Sequence, residues 1–549
     1  MTFNAPGFSL KKLLNYVDWK LLLFLLLFLN VKLAIKIPAI VIIYLLQFNF
    51  KFGFSFKNSR LPLFYLLIIV IGFVDLIVNK SYQAPNYFIV FITGMGFWLL
   101  CLLAVHQVKL SVERTTAEIL HNTILVFFVI NAVVSFYTIG HIMWETGAIN
   151  PYRYQGQYQK YFIGTGDYIK GLTFDISTTN AVLNAFGVVY FLDRKMPAMV
   201  LVCMAVLLLT GSNFVNLALL LVLALILLFK SSRDQKSVVL ICFMFLVVFM
   251  AKVSPQNNQY TVETFKNIIH PPKPPFKSIA VVATADSFSG TEAVRRRIAK
   301  NYLDSLKAII NKQHENQQSF LLRGVLKTDQ GRIFVAKADI NTPPYQTPTD
   351  TSDEQRLLLA FIASHKAVLP ISGNDSVKIY TPGKALGFVQ TARYLRQHPA
   401  KIIAGDGMGN FSSKLAFKAS ALGFSGGYPT RYAYISNDFL LNHLDLYLNF
   451  FSKASGLHSL TNSPFSVYDQ MLAEYGLLGL LAFAIFYLGF FAKHLKKLTY
   501  GIPLLLLMMA AFFIDYWFEQ LSVIVLFELL LLINIKETTT NPIATYAHQ

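Results

Sequence analysis

The sequence predicts an all-α polytopic membrane protein of about twelve transmembrane helices, with a large, mostly helical extracytoplasmic domain between spans nine and ten. Three observations lead there. Of 549 residues, 54% are hydrophobic and only 14% are charged, where a soluble chain carries about a quarter charged residues. The mean hydropathy is +0.49. The apolar residues also gather into runs of spanning length, with Lys and Arg concentrated in alternate loops. So much apolar sequence does not fit one soluble core, and lipid is the solvent that accommodates it.

A helical span needs about 20 apolar residues. Runs at 19–36, 37–50, 61–79, 87–107, 119–142, 176–192, 197–212, 213–230 and 237–253 form an N-terminal membrane region over 1–253. Runs at 467–492, 499–519 and 521–536 form a C-terminal membrane region over 467–536, followed by a cytoplasmic tail over 537–549. No small-residue cleavage site follows the first run, which reads as an uncleaved anchor. Residues 19–50 are either one span or two joined by a tip at Lys32 and Lys36. With the N-terminus inside, the inner loops hold Lys51, Lys57 and Arg60; Lys109 and Arg114; Arg194 and Lys195; Lys230, Arg233 and Lys236; Lys493, Lys496 and Lys497. The outer turns at 211–213 and 519–520 carry no Lys or Arg. Every alternate loop obeys the positive-inside rule, and both termini fall in the cytoplasm.

Two outer segments remain. One is the loop 143–175, rich in Tyr, Gln and Gly; the other, 254–466, is long enough for its own domain. The domain opens with a proline linker at Pro271 to Pro275, and a second linker runs from Thr342 to Pro348. Apolar spacing predicts a helix over 291–310, another over 383–398, and a third from Asn437, as N-cap, to Phe451. The stripe of that third helix lies either along the membrane surface or inside the domain. Cys101, Cys203 and Cys242 all sit in apolar runs, so the domain has no disulfide framework and no cysteine metal site. The net charge of +19 suits anionic lipid or an anionic substrate, and much of it sits in the inner loops. No nucleic-acid partner is expected.

Several residues carry candidate chemistry. Ile402 to Phe411 contains Gly405, Gly407 and Gly409, spaced as a glycine-rich phosphate loop or as a tight turn feeding a helix at Phe411. Lys384, Arg393 and Arg396 precede it, Lys401 and Arg431 lie close by, and Arg295, Arg296 and Arg297, earlier in the outer domain, are either a further basic patch or a solvated helix face. Guanidinium forks grip phosphate oxygens bidentately, so this surface suits a lipid-linked diphosphate. His443 and His458 stand before the tenth span, where an imidazole can take a proton from a sugar hydroxyl. Asp75, Asp515, Glu519 and Glu528 fall in or near spans and mark a proton or ion path, or hydrated helix ends; Asp515 and Glu519 are four apart, on one helix face. No H-E-x-x-H, EF-hand, Walker A or nucleophile-elbow motif is present, so no metal or cofactor is expected.

Four stretches, taken in order, resemble the O-antigen ligase and O-antigen polymerase superfamily of bacterial membrane glycosyltransferases. They are Gly171 to Ala181; Leu208 to Asn213; Pro382-Gly383-Lys384 followed by a helix and Gly405 to Phe411; and Tyr468 to Gly479, with Glu474, Gly476 and Gly479. The large outer loop before the last three spans matches as well. The resemblance implies a metal-independent transferase that moves a glycan from an undecaprenyl diphosphate carrier to a saccharide or lipid A-core acceptor. It implies that basic residues hold the diphosphate and that an outer-loop histidine activates the acceptor. This chain has Ser212-Asn213 where the family has Ser-Arg, Gly383-Lys384 where it has Gly-Arg, and Phe465 or Ser466 where its histidine stands.

The expectation is therefore a ligase or polymerase of surface polysaccharide in the bacterial inner membrane. Lys384, Arg393 and Arg396 contact diphosphate, with His458 as base ahead of His443. Asn180 and Asn213 line the site, and Glu474 orients the loop or caps the packing of span ten. The partners are membrane lipids, the lipid-linked donor and the acceptor glycan. A secondary transporter or flippase using Asp75, Asp515 or Glu528, and a non-catalytic scaffold of the glycan machinery, are the rival readings.

Overall fold

The computed structural model describes residues 16–30, 33–53, 61–153, 166–173, 176–229, 231–254, 266, 328–329, 332–333, 383–420, 427–443, 446–447 and 463–540. Most of 254–466 lies outside these residues, including the helix expected at 291–310, both proline linkers, the Arg295 triplet and His458. Among the described residues the regular structure is helical, apart from one two-residue ladder pairing β1 (Thr328–Asp329) with β2 (Arg332–Ile333).

The helices follow the apolar runs. They are α1 (Trp19–Asn30), α2 (Leu33–Gln47), α3 (Phe64–Val78), α4 (Tyr87–Arg114), α5 (Ala117–Thr146), α6 (Ser177–Asp193), α7 (Pro197–Leu209), α8 (Asn213–Phe229) and α9 (Arg233–Val248), which a π turn continues to Val253. Then come the polar helices α10 (Gly383–Gln397), α11 (Lys401–Ala404), α12 (Lys414–Ala419) and α13 (Asn437–Asn442). The last group is α14 (Val467–Ala482), a π turn over Phe483–Leu488, α15 (Gly489–Ala492), α16 (Gly501–Ala511), α17 (Trp517–Gln520) and α18 (Ser522–Thr540). Four of these stretches are long and apolar enough to cross a membrane: Tyr87–Arg114, Ala117–Thr146, Arg233–Val253 and Val467–Ala492. Local chemistry sets their starts. Thr116 caps α5, Ser232 and Gln235 form a capping box on α9, and Pro197 opens α7, where its missing N–H costs nothing.

α18 is the axis of the bundle. Its residues from Val523 to Ile533 are all buried, and it packs against α4, α5, α6 and α16. A helix apolar on every side is stable only when neighbours surround it. Residues 19–50 form two helices. The Asp18 N–H bonds Thr123 Oγ1 at 2.9 Å and the Asp18 carboxylate accepts from the Thr115 hydroxyl, while Tyr44, near the end of α2, bonds His106 Nδ1 at 2.6 Å. α1 begins and α2 ends at the same end of the bundle, so the pair is antiparallel. That end also holds the Arg194–Glu537 ion pair and Lys536, which donates to the Val112 carbonyl at 2.6 Å. The opposite end joins Asn79 to the Gly405 carbonyl at 3.2 Å, Tyr87 to the Met408 carbonyl at 3.0 Å and Asn150 to the Val253 carbonyl at 2.9 Å.

Three boundaries differ from the sequence reading. The cap of α13 is Ser436, whose hydroxyl accepts from Asp438 and Phe439; Asn437 is the first helical residue, and the helix stops at Asn442. The run 499–519 is not one helix, because α16 ends at Ala511 and the Phe512 carbonyl accepts from the Val467 N–H at 2.8 Å. Asp515 therefore lies in a turn before α17 and shares no helix face with Glu519. Finally, α14 is broken inside by Gly476 at φ +64.

Candidate functional site

The break at Gly476 creates the site. Gly405, at φ +78, faces it so closely that a Cβ on Gly405 would meet the Gly476 nitrogen and the Glu474 carbonyl at 2.5 Å. Only glycine permits that approach in that conformation. The two backbones then bond like strands, Asp406 N–H to the Ala473 carbonyl and Gly407 N–H to the Glu474 carbonyl, each at 2.9 Å. The loop 405–413 is thereby folded over the start of α14.

The fully buried Glu474 carboxylate enters this loop. It accepts from the N–H groups of Gly409 (2.9 Å), Phe411 (3.2 Å), Ser412 (3.2 Å) and Ser413 (3.0 Å). Successive N–H groups pointing one way make an anion-binding nest, and here the anion is the chain's own side chain. The glycine run is thus a clamp for Glu474 and not an open phosphate loop. Glu474 thus ties the loop to α14. The helix after the turn starts at Lys414, capped by Ser413, and not at Phe411.

α10 lies across this clamp. Lys384, Gly387, Thr391, Tyr394 and Leu395 form its buried face. Lys384 donates to the Phe465 carbonyl at 2.5 Å and lies 5.3 Å from the Phe513 ring centre. Burial pushes the Lys384 amine from 10.5 down to about 7, opposed by the negative charges of Asp515 and Asp469. Thr391 donates to Asp469 Oδ1 at 2.7 Å. Asp469 Oδ2 has no hydrogen-bond partner among the described residues and stands 3.9 Å from His443 Nε2. Neither ring nitrogen of His443 has a partner there. Its ring packs against Phe411 and Tyr447, and burial pushes its pKa down to about 3, so the imidazole is neutral. At 3.9 Å the pair is too long for a hydrogen bond.

Of the remaining expected residues, Arg393 and Arg396 are exposed and do not join Lys384. Nine residues at 100° each carry Arg393 to the far side of α10 from Lys384. Asn180 is fully buried and fully used. Its Oδ1 accepts from Asn131 (2.9 Å) and Asn184 (2.8 Å), and its Nδ2 donates to the Ile169 carbonyl (2.9 Å) and Ser135 (3.2 Å). It fixes the 166–173 segment. Asn213 is half-buried at the start of α8. Its neighbour Phe214 stacks on Phe513 at 6.3 Å, and Phe513 on Phe388 at 5.8 Å, which ties this turn to α10. His458 lies outside the described residues. All three cysteines are buried and free. Among the described residues no three His, Cys, Asp or Glu side chains gather as a metal site.

Sequence reasoning missed Asp469 and Thr391. A signal for Asp469 was present, since an acid in the first turn of an apolar span demands a partner. The chain matches no protein-family model, no characterised protein and no solved structure.

Proposed function

We propose that this chain is an O-antigen ligase- or polymerase-like transferase. It moves a glycan from an undecaprenyl diphosphate carrier to a saccharide or lipid A-core acceptor during assembly of surface polysaccharide. It sits in a bacterial inner membrane as a twelve-span protein, with both termini cytoplasmic and 254–466 periplasmic. The grouping of its polar contacts supports that topology. Asp18, Thr115, Arg194, Lys536 and Glu537 meet at one end, and Asn79, Tyr87, Asn150, Gly405 and Met408 meet at the other.

The observation that carries the reading is convergence. The four stretches that resemble the family are far apart in sequence, yet they and the residues flanking them are joined by one chain of contacts. Gly166 packs on Leu209 and Thr210, beside the Gly171–Asn180 knot; Phe214 reaches α10 through Phe513; α10 holds Asp469 through Thr391; and Glu474 fills the glycine loop.

Glycan transfer needs positive charge at the departing diphosphate and a base at the attacking hydroxyl. Lys384 supplies the ammonium. The acceptor hydroxyl sits between Asp469 Oδ2 and His443 Nε2, and its proton passes to Asp469 as its oxygen bonds the anomeric carbon. The bond from that carbon to the diphosphate breaks, and the diphosphate leaves with the electron pair. Arg393 and Arg396 take no part.

The test is the pool of undecaprenyl diphosphate-linked glycan, measured by mass spectrometry in a deletion strain and its complemented parent. Accumulation on deletion is the expected result. Stored single repeats identify a polymerase and long chains a ligase, while an unchanged pool overturns the transferase reading in favour of transport or scaffolding.

A further inference from the structure

Asp75, near the end of α3, is 1% exposed, and neither of its carboxyl oxygens has a hydrogen-bond donor among the described residues. Its surroundings are otherwise well paired. One turn later, Asn79 accepts from Lys401 Nζ at 2.9 Å and donates to the Gly405 carbonyl at 3.2 Å. Lys401 Nζ also reaches Asp406 Oδ1 at 3.0 Å, and that oxygen accepts from the Tyr394 hydroxyl at 2.7 Å. Lys401 and Asp406 are the charged groups that act on Asp75. From α4, Tyr87 is bonded to the Met408 carbonyl; from α14, Tyr475 is bonded to Trp98, and Glu474 is held by its four N–H donors.

An ionised carboxylate with no donor, cut off from water, is among the costliest arrangements in a protein. Two carboxylates and one ammonium leave one negative charge uncompensated. A metal cation would need several oxygens and would be repelled by the ammonium already in place. A proton needs neither extra ligands nor space. Lys401 is 26% exposed, so water reaches the cluster from its side. Burial, reinforced by the charge of Asp438, also pushes Asp406 up to about 7, while Lys401 and Tyr394 oppose that shift.

We propose that Asp75 and Asp406, with Lys401 bonded to Asp406 and to Asn79 one turn beyond Asp75, form a one-proton binding site, filled from the Lys401 side, where the glycine loop meets α3. This inference is independent of the transferase reading and holds equally for a transporter.

The test is infrared spectroscopy of the full-length protein in lipid nanodiscs, following the protonated-carboxyl C=O stretch through a pH titration. Wild type is expected to show such a band, shifted in D2O and lost as pH rises, and Asp75→Asn to lack it. Lys401→Met removes the competing positive charge, so its band should persist to higher pH; that variant also carries the test if Asp75→Asn does not fold. Identical spectra for wild type and Asp75→Asn across the titration overturn the proposal, as does a titration that Lys401→Met leaves in place. A melting temperature raised by sodium in wild type but not in Asp75→Asn also overturns it, by putting a metal cation where the proton is proposed.

Discussion

Glu474 and Asp469 are both buried acids, five residues apart on α14, and they are treated oppositely. Glu474 receives four backbone N–H groups. Asp469 receives one hydroxyl and, among the described residues, keeps a bare oxygen 3.9 Å from an equally bare imidazole. The first arrangement uses all its bonding capacity to hold two segments together. The second leaves capacity unused in a place where unused capacity is costly. The contrast separates the part of the site that is architecture from the part to which the proposed transfer chemistry is assigned.

Breaking the architectural half should have the largest effect on stability. Glu474→Ala leaves four N–H groups without an acceptor and should cost about 3 to 5 kcal/mol, read as a lower melting temperature or faster proteolysis in nanodiscs. Gly405→Ala should cost about 1 to 3 kcal/mol from strain alone, because φ is +78 and the new Cβ meets Glu474 backbone atoms. Asp469→Asn keeps an oxygen for Thr391 and should change stability by less than about 1 kcal/mol. If Asp469 is the base, the same variant should lose about 10²- to 10⁴-fold in transfer rate. Arg393→Ala and Arg396→Ala should stay within about 0.5 kcal/mol of wild type and leave activity unchanged.

Lys384 sharpens the comparison through pH. Its amine titrates at about 7 folded against 10.5 unfolded. Between those values the unfolded chain binds more protons, so this group makes stability rise with pH across that window. Activity that needs the ammonium should instead fall as pH passes about 7. Lys384→Met should flatten both slopes, checked by melting curves and rates on either side of neutrality.

Much of the fold was legible because lipid imposes one local solution: an apolar run must satisfy its backbone internally, and a helix does so. Each run from 19 to 253 became a helix; most ends fall within about four residues of those expected, while α1 stops at Asn30 and α4 runs on to Arg114. The break of α14 was not legible. Gly476 reads as one more glycine in a span until Gly405, some 70 residues earlier, is known to press against it. Of the candidate site, Lys384 and Glu474, singled out in the sequence, are buried and bonded, whereas Arg393 and Arg396, grouped with Lys384 by proximity along the chain, are exposed. Helical phase alone separates Arg393 from Lys384. The partnership of Lys384 with the Phe465 carbonyl comes from tertiary contact that no local pattern encodes.

The most direct measurement is the undecaprenyl diphosphate-linked glycan pool in a strain carrying Asp469→Asn, with the membrane content of the protein followed by immunoblot. The pool should rise to the level of the deletion strain while the protein stays at its normal amount. A pool equal to wild type, with the protein present, would contradict the assignment of Asp469 to the reacting half of the site.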